Sequence, residues 1–528
     1  MQVFSNTALI KSTSTLDIEA KEAKLSGKER AILDSKKEAV VNSLGVTQLQ
    51  GKQGNKYSNN GQGIAQAKTE SISNVIVEFR PLSTWQGEFG FDWLRIDDGA
   101  ATLETPYYVC LQNGYEKPTK RDLNTEYESK GEAFKELEKE YQKITIRRAN
   151  TPLLTKYYVP WLNIYPEKIS NTVNTTPQPP CEVELNILLD IEGISPDQIR
   201  IEFNKKYFRI DGKDGTDSAP VLITDTGVGN KRKIQQTIKI KCIEEFETQQ
   251  SIVVYAYPQG SMLKTVEEQK IERKLAGKII VCPNSNKEKI RNRRYIKVVL
   301  VKVKTNINGI SHMGGFGNTQ DTLGEKDTLQ QFFYQALTYA KLIETTKDNQ
   351  GNTIDIILDL SNDRDFKLHR DDLGTPINSV FIDNNGNIRD NDNLISILKQ
   401  KFNQQTSNKY IKDLIIFAFD ETCPNSRDPR YVINGFADHI KMGNKTIFKK
   451  ALVLFNTRKD KTLSHEALHT MGLFHTHRDG TIYDSDQKFI FTNGNDDPIN
   501  ATDNIMSYNR IRRSTWHWQW KIIKRNAR

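Results

Sequence analysis

The sequence predicts a multidomain chain: a β-rich, sandwich-like N-terminal region followed by a C-terminal α/β (α+β) domain. Three observations carry this. The chain has 528 residues, more than one ordinary hydrophobic core organises. From about residue 75 to 289, short β-branched and aromatic runs alternate with turn-forming residues. After residue 290, strand-like and helix-like segments alternate, as in an α/β domain with a largely parallel sheet.

Composition narrows the class. Hydrophobic residues make up 37% and charged residues 27%, which suits a soluble globular chain. No run of eighteen apolar residues exists, so no membrane span is expected. The first residues lack a basic stretch followed by an apolar one, so no standard secretory signal is expected. Export by a signal-peptide-independent route (secreted or injected) and a cytoplasmic location both remain open. The five cysteines are scattered without a CxxC pair, which argues against a disulfide scaffold and a cysteine-based metal site. The net charge of +9 gathers in "KEKIRNRRYIKVVLVKVK" and in the tail "RIRRSTWHWQWKIIKRNAR". No nucleic-acid-binding module accompanies these segments, so they read as solvated basic faces and no nucleic acid is expected as a partner.

Residues 1–50 have the composition of a helical segment, and 51–74, rich in Gly, Asn and Gln, read as a flexible linker. Next come "SNVIVEFRPL", "EVELNILLDI", "QIRIEFNKKYFRIDG", "QSIVVYAYP" and "GKIIVCP", a series of strands. The helix-like "KGEAFKELEKEYQKI" interrupts them. The Pro-rich "NTTPQPPCE" predicts a boundary between one β-rich module at 75–178 and a second at 179–289. Within "TWQGEFGFDWLRIDDG", Trp85 and Trp93 serve either as core or as a platform for a surface glycan or partner. This segment resembles leader regions of bacterial injected or exported effectors, and the β-rich region would then contact secretion machinery.

The region 290–528 predicts a strand at "YIKVVLVKVKT", a helix at "DTLQQFFYQALTYAKLIE", a strand at "TIDIILDLS" and a helix at "NLISILKQKFNQQ". Strands follow at "DLIIFAFDE", "NGFADHI" and "KKALVLFN". Then comes "LSHEALHTMGLFHTH", which holds four of the chain's 8 histidines.

His465 and His469 are four apart, so on a helix they stand one above the other on one face. Two imidazoles so placed can hold one metal ion. Glu466 lies about 100° round from His465 and approaches the ion's open side without being a ligand. Leu463, Ala467 and Met471 fall on the opposite face, with Leu468 on the flank, and supply a core. Gly472 can adopt the left-handed conformation that ends the helix and returns His475 to the same ion. Three neutral imidazoles leave a fourth Zn²⁺ position for water. His477 lies outside this pattern and reads as an exposed bystander. His312, His369, His439 and His517 are isolated and read as structural.

His465-Glu466-x-x-His469-x-x-Gly472-x-x-His475 is the extended HExxHxxGxxH pattern, and the chain resembles the metzincin zinc peptidases in it. "TDNIMSYN" resembles their Met-turn, with Met506 beneath the metal. The resemblance implies that Tyr508 is a further zinc ligand or a hydrogen-bond donor to the transition state. It also implies that substrate lies antiparallel to an edge strand, here "NGFADHI". It covers residues 290–528.

The expected function is therefore a zinc endopeptidase acting on protein or peptide, with Glu466 as general base. An amidase for cell-wall peptides would use the same chemistry. A third reading makes the β-rich region a binding or delivery module with a latent peptidase. The acidic "DSDQKFIFTNGNDDP" at 484–498 offers carboxylates to Ca²⁺, without the spacing of a known calcium loop.

Overall fold

The computed structural model describes residues 70–72, 74–94, 115–116, 135, 137–147, 154–224, 229–287, 290–317, 324–348, 350–371, 373–377, 379–442, 445–477, 490–491, 502–508 and 511–527. The expected helix at 1–50, most of the expected linker, Cys110 and most of the 484–498 loop lie outside these residues.

Between residues 75 and 281 two sheets face each other. One orders its strands Phe208–Ile210, Gly229–Cys242, Glu182–Ile191, Val75–Pro81. The other runs Val221–Ile223, Gln198–Glu202, Gln250–Tyr257, Lys274–Val281, Trp161–Asn163, Gly90–Asp92. The period of two decides which side chains meet. Val183, Leu185, Ile187 and Leu189 project from the first sheet into the same core as Ile252, Val254 and Ala256 from the second.

The Pro-rich stretch near 178 does not divide two sheets. Val75–Pro81, before it, pairs antiparallel with Glu182–Ile191, after it. Trp161–Asn163 likewise pairs with Lys274–Val281. Prolines mark a local turn, whereas pairing between distant strands leaves no local signature. Trp85 and Trp93 are buried in this core, so neither offers a platform to a ligand.

A further, separate sheet is built on β1 (Arg294–Ile307). α1 (Glu325–Gln335) leads to β2 (Thr338–Ile343), which pairs in parallel with the start of β1. α2 (Leu394–Gln405) leads to β3 (Leu414–Ala418), also parallel to β1. β4 (Gly435–Met442) and β5 (Lys445–Leu454) form a hairpin; β5 pairs in parallel with β3, and β4 is the antiparallel edge. α3 (Asp460–Thr470) and α4 (His517–Asn526) complete this part.

β1 is buried on both faces, which explains its long apolar run. Ile296, Val298 and Leu300 share a core with α1, α3 and α4. Val299, Val301 and Val303 share the opposite core with Leu394, Leu398 and Phe402 of α2.

The segment expected as one helix from 327 to 344 divides in two. α1 stops at Gln335, Leu337 turns with φ 50°, and "TYAKLI" becomes β2. Its β-branched and aromatic residues gain a ladder on β1 that a helix would forgo. The basic tail also differs from a simple solvated face: Trp516, Trp520 and Ile523 are buried in the core beneath α3.

The sandwich and the sheet built on β1 are joined by a buried polar seam. Asn163 Nδ2 donates to Gln335 O at 2.6 Å, and Tyr165 Oη to Thr338 O at 3.0 Å. Gln335 Nε2 donates to Gly87 O and Arg513 O, each at 2.9 Å, and Thr515 N donates to Gln335 Oε1 at 2.7 Å. Asp92 accepts from Tyr141 Oη at 2.8 Å and from His517 N at 2.9 Å. No helix among the described residues is long and apolar enough to cross a membrane.

Candidate metal centre

α3 follows β5 and lies against α1 and the β4–β5 hairpin. Leu463, Ala467, Leu468 and Met471 are fully buried, as their spacing predicts. Each large apolar side chain there contributes roughly 1.5–3 kcal/mol. This anchorage fixes the two histidines on the other face.

The helix ends as Gly472 requires. Gly472 has φ 86°, its N–H donates to His469 O at 2.8 Å, and Leu473 N–H donates to Leu468 O at 3.2 Å. This is the paired Schellman geometry of a glycine stop. It also places Leu473 O where His469 Nδ1 reaches it at 2.6 Å. His465 Nδ1 makes the equivalent bond to Ile505 O at 2.8 Å.

A carbonyl only accepts, so both Nδ1 atoms carry hydrogen and both neutral rings present Nε2 as a lone pair. The Nε2 atoms of His465 and His469 are 3.2 Å apart, and that of His475 lies 3.1 Å from the first and 3.2 Å from the second. A tetrahedral ion about 2.0 Å from each nitrogen needs nitrogens about 3.3 Å apart. The triangle fits such an ion. Lone pairs brought together this way repel one another unless a cation sits between them. Among the described residues this is the cluster of side chains able to hold a metal. Burial, with His469 and His475 adding to it, drives His465 well below its ordinary pKa, so it stays neutral and ready to ligate.

The Met506 turn secures His475. Met506 is fully buried and its carbonyl accepts from Thr476 N at 3.1 Å. Asn504 Oδ1 accepts from Met506 N at 3.0 Å, and Ile505 N donates to Ser514 O at 2.8 Å. One turn therefore holds both His475, through its neighbour, and His465, through Ile505. Tyr508 Oη lies 3.1 Å from His475 Nε2, and the side chain is half-exposed. His477, expected from sequence to be an exposed bystander, is instead buried and stacks on His475 with ring centroids 4.8 Å apart.

Glu466 is half-buried beside the triangle. Its carboxylate accepts from the Ala437 amide of the edge strand, and burial pushes its pKa up to about 8 against the opposing pull of that amide and of Arg512. The β4 register shifts between Ala437 and His439, so the edge strand is irregular beside Glu466.

A cleft of about 430 Å³ opens here, lined by His465, Glu466, Tyr508, Arg512, Lys459 and the chain from Val432 to Gly435. Arg512 was not singled out from sequence. It sits in the basic tail, four residues after Tyr508, and nothing in its neighbours distinguishes it from Arg510 or Arg513. Two larger cavities, about 920 and 870 Å³, lie around Arg293, Arg294, Tyr295 and Tyr339 at the start of β1 and β2. They contain no metal-ligating cluster among the described residues, whereas the smaller cleft includes His465 of the triangle.

No protein-family model matches the chain, and no curated protein or solved structure matches it either. The site stands on its own geometry.

Proposed function

We propose that the chain is a zinc-dependent endopeptidase whose C-terminal region works as a metzincin does. The observation that supports it most is the Nε2 triangle of His465, His469 and His475, with its spacings of 3.1–3.2 Å, beside the cleft carboxylate Glu466. Zinc, when bound, supplies Lewis acidity and lowers the pKa of a water to about 7. The other steps belong to the chain. Glu466, braced by the Ala437 amide, takes the proton from the attacking water and hands it to the departing amine. Tyr508 Oη, beside His475, donates to the developing oxyanion. β4, at the sheet edge, offers backbone groups to an extended peptide. The sandwich holds the catalytic region through the Gln335 and Asp92 hydrogen bonds, which favours a supporting role over that of a detachable module.

The test is a proteome-derived peptide mixture incubated with zinc-loaded protein and with Glu466→Ala, with products read by mass spectrometry. This reading predicts new termini with wild type only. Cuts confined to a parallel incubation with cell-wall peptides would make the chain an amidase. Cleavage by neither protein would overturn the catalytic reading.

A further inference from the structure

Arg512 lines the cleft together with Glu466 and Tyr508. Its Nε is buried and has no hydrogen-bond partner among the described residues. The side chain as a whole is part-buried, and a buried N–H without an acceptor is costly. Asp460 and Glu466 are the acids whose charge reaches it. Asp460 Oδ1 already accepts from Lys461 N, and Glu466 from the Ala437 amide. Lys459 adds a second cation to the same wall. The lining thus carries two cations, Arg512 and Lys459, against one carboxylate, Glu466, with Asp460 near enough to act on Arg512.

Resting on the proposed peptidase activity, we infer that Arg512 selects substrates with a carboxylate next to the scissile bond. The guanidinium fork matches a carboxylate, and a charge-assisted pair strengthens where water is excluded. The carboxylate has two sources: an Asp or Glu side chain, or the free C-terminus of a short peptide. Arg512 is thus a specificity residue, while Glu466 performs proton transfer.

The experiment uses paired peptides on the full-length, zinc-loaded chain. One pair differs by Asp against Asn at positions flanking the cut; the other by a free against an amidated C-terminus. Wild type is expected to favour the acid member of one pair on the order of 10- to 100-fold in kcat/KM. Whichever pair shows the preference identifies the source. Arg512→Gln should bring that ratio towards one, and Arg512→Lys should restore part of it. If Arg512→Gln slows acid and amide peptides equally and leaves the ratio intact, Arg512 acts only through Glu466 or the fold, and the inference is overturned. A binding arm separates this from failure of the peptidase reading. Zinc-loaded Glu466→Gln is titrated with the same fluorescent peptides, with zinc content and thermal unfolding as folding controls. Tighter binding of the acid peptide, lost in Glu466→Gln/Arg512→Gln, upholds the inference even without cleavage. Equal affinity for acid and amide peptides sinks it.

Discussion

His465 and His475 meet from opposite sides of the Gly472 turn, with their Nε2 atoms 3.1 Å apart. A helix alone cannot bring residues ten apart to one point. The left-handed glycine and the Met506 turn do so together.

Each of the three histidines should be needed for metal. His475→Ala should lose most of its zinc affinity, because two nitrogens on one helix hold an ion more weakly than three. Thermal unfolding with and without zinc checks this. At 100 times Kd, zinc should stabilise the wild type by about 2.7 kcal/mol, and the variant by far less.

Glu466→Gln should keep zinc and lose turnover by roughly 10²–10⁴-fold, the usual worth of a positioned base. Atomic absorption and peptide kinetics on one preparation separate the two effects. A variant that loses both would mean that Glu466 is needed to build the site.

The seam should be intolerant of added atoms. A Cβ on Gly90 would lie 2.2 Å from Gln335 O, a backbone atom that cannot swing aside. Gly90→Ala should cost about 1–3 kcal/mol or more in urea denaturation. A neutral result would mean that the sandwich and the catalytic region are only loosely joined.

Arg458 Nε pairs with the buried Glu325 at 2.8 Å, tying the loop before α3 to the first turn of α1. Arg458→Met should destabilise by about 3–5 kcal/mol, since it leaves Glu325 buried without its partner. Adding Glu325→Gln should recover part of that loss. A purely additive double variant would contradict the pairing.

Three thiols give a pH signature. Burial pushes Cys242 and Cys423 up to about 12 and Cys282 up to about 11. Their folded pKa values are raised above the unfolded value of about 8.5, so their contribution is complete below that value. It falls as pH rises above it, where the unfolded thiols ionise and the folded ones do not. Iodoacetamide at pH 8 should leave these three unlabelled until urea unfolds the chain, as peptide mass spectrometry would show.

The site was legible because it is local. His465, Glu466, His469 and Gly472 lie within eight residues, and helix geometry alone places the first three. Met506 needed the resemblance, since nothing in its own spacing links it to His475. The strands were legible from β-branched runs, but their partners were not. The pairing of Val75–Pro81 with Glu182–Ile191 spans over a hundred residues and depends on the whole core. Leu337 hid the end of α1 because leucine in a left-handed turn goes against its own preference. Arg512 and His477 were missed because only the fold brings the first to the cleft and stacks the second on His475.

The measurement that bears most directly on the central claim is zinc coordination in the purified chain, by metal analysis and X-ray absorption. The expected result is one zinc per chain with three imidazole nitrogens at about 2.0 Å, and a site emptied by His469→Ala. A chain that binds no zinc, or binds it equally well without His469, would contradict it.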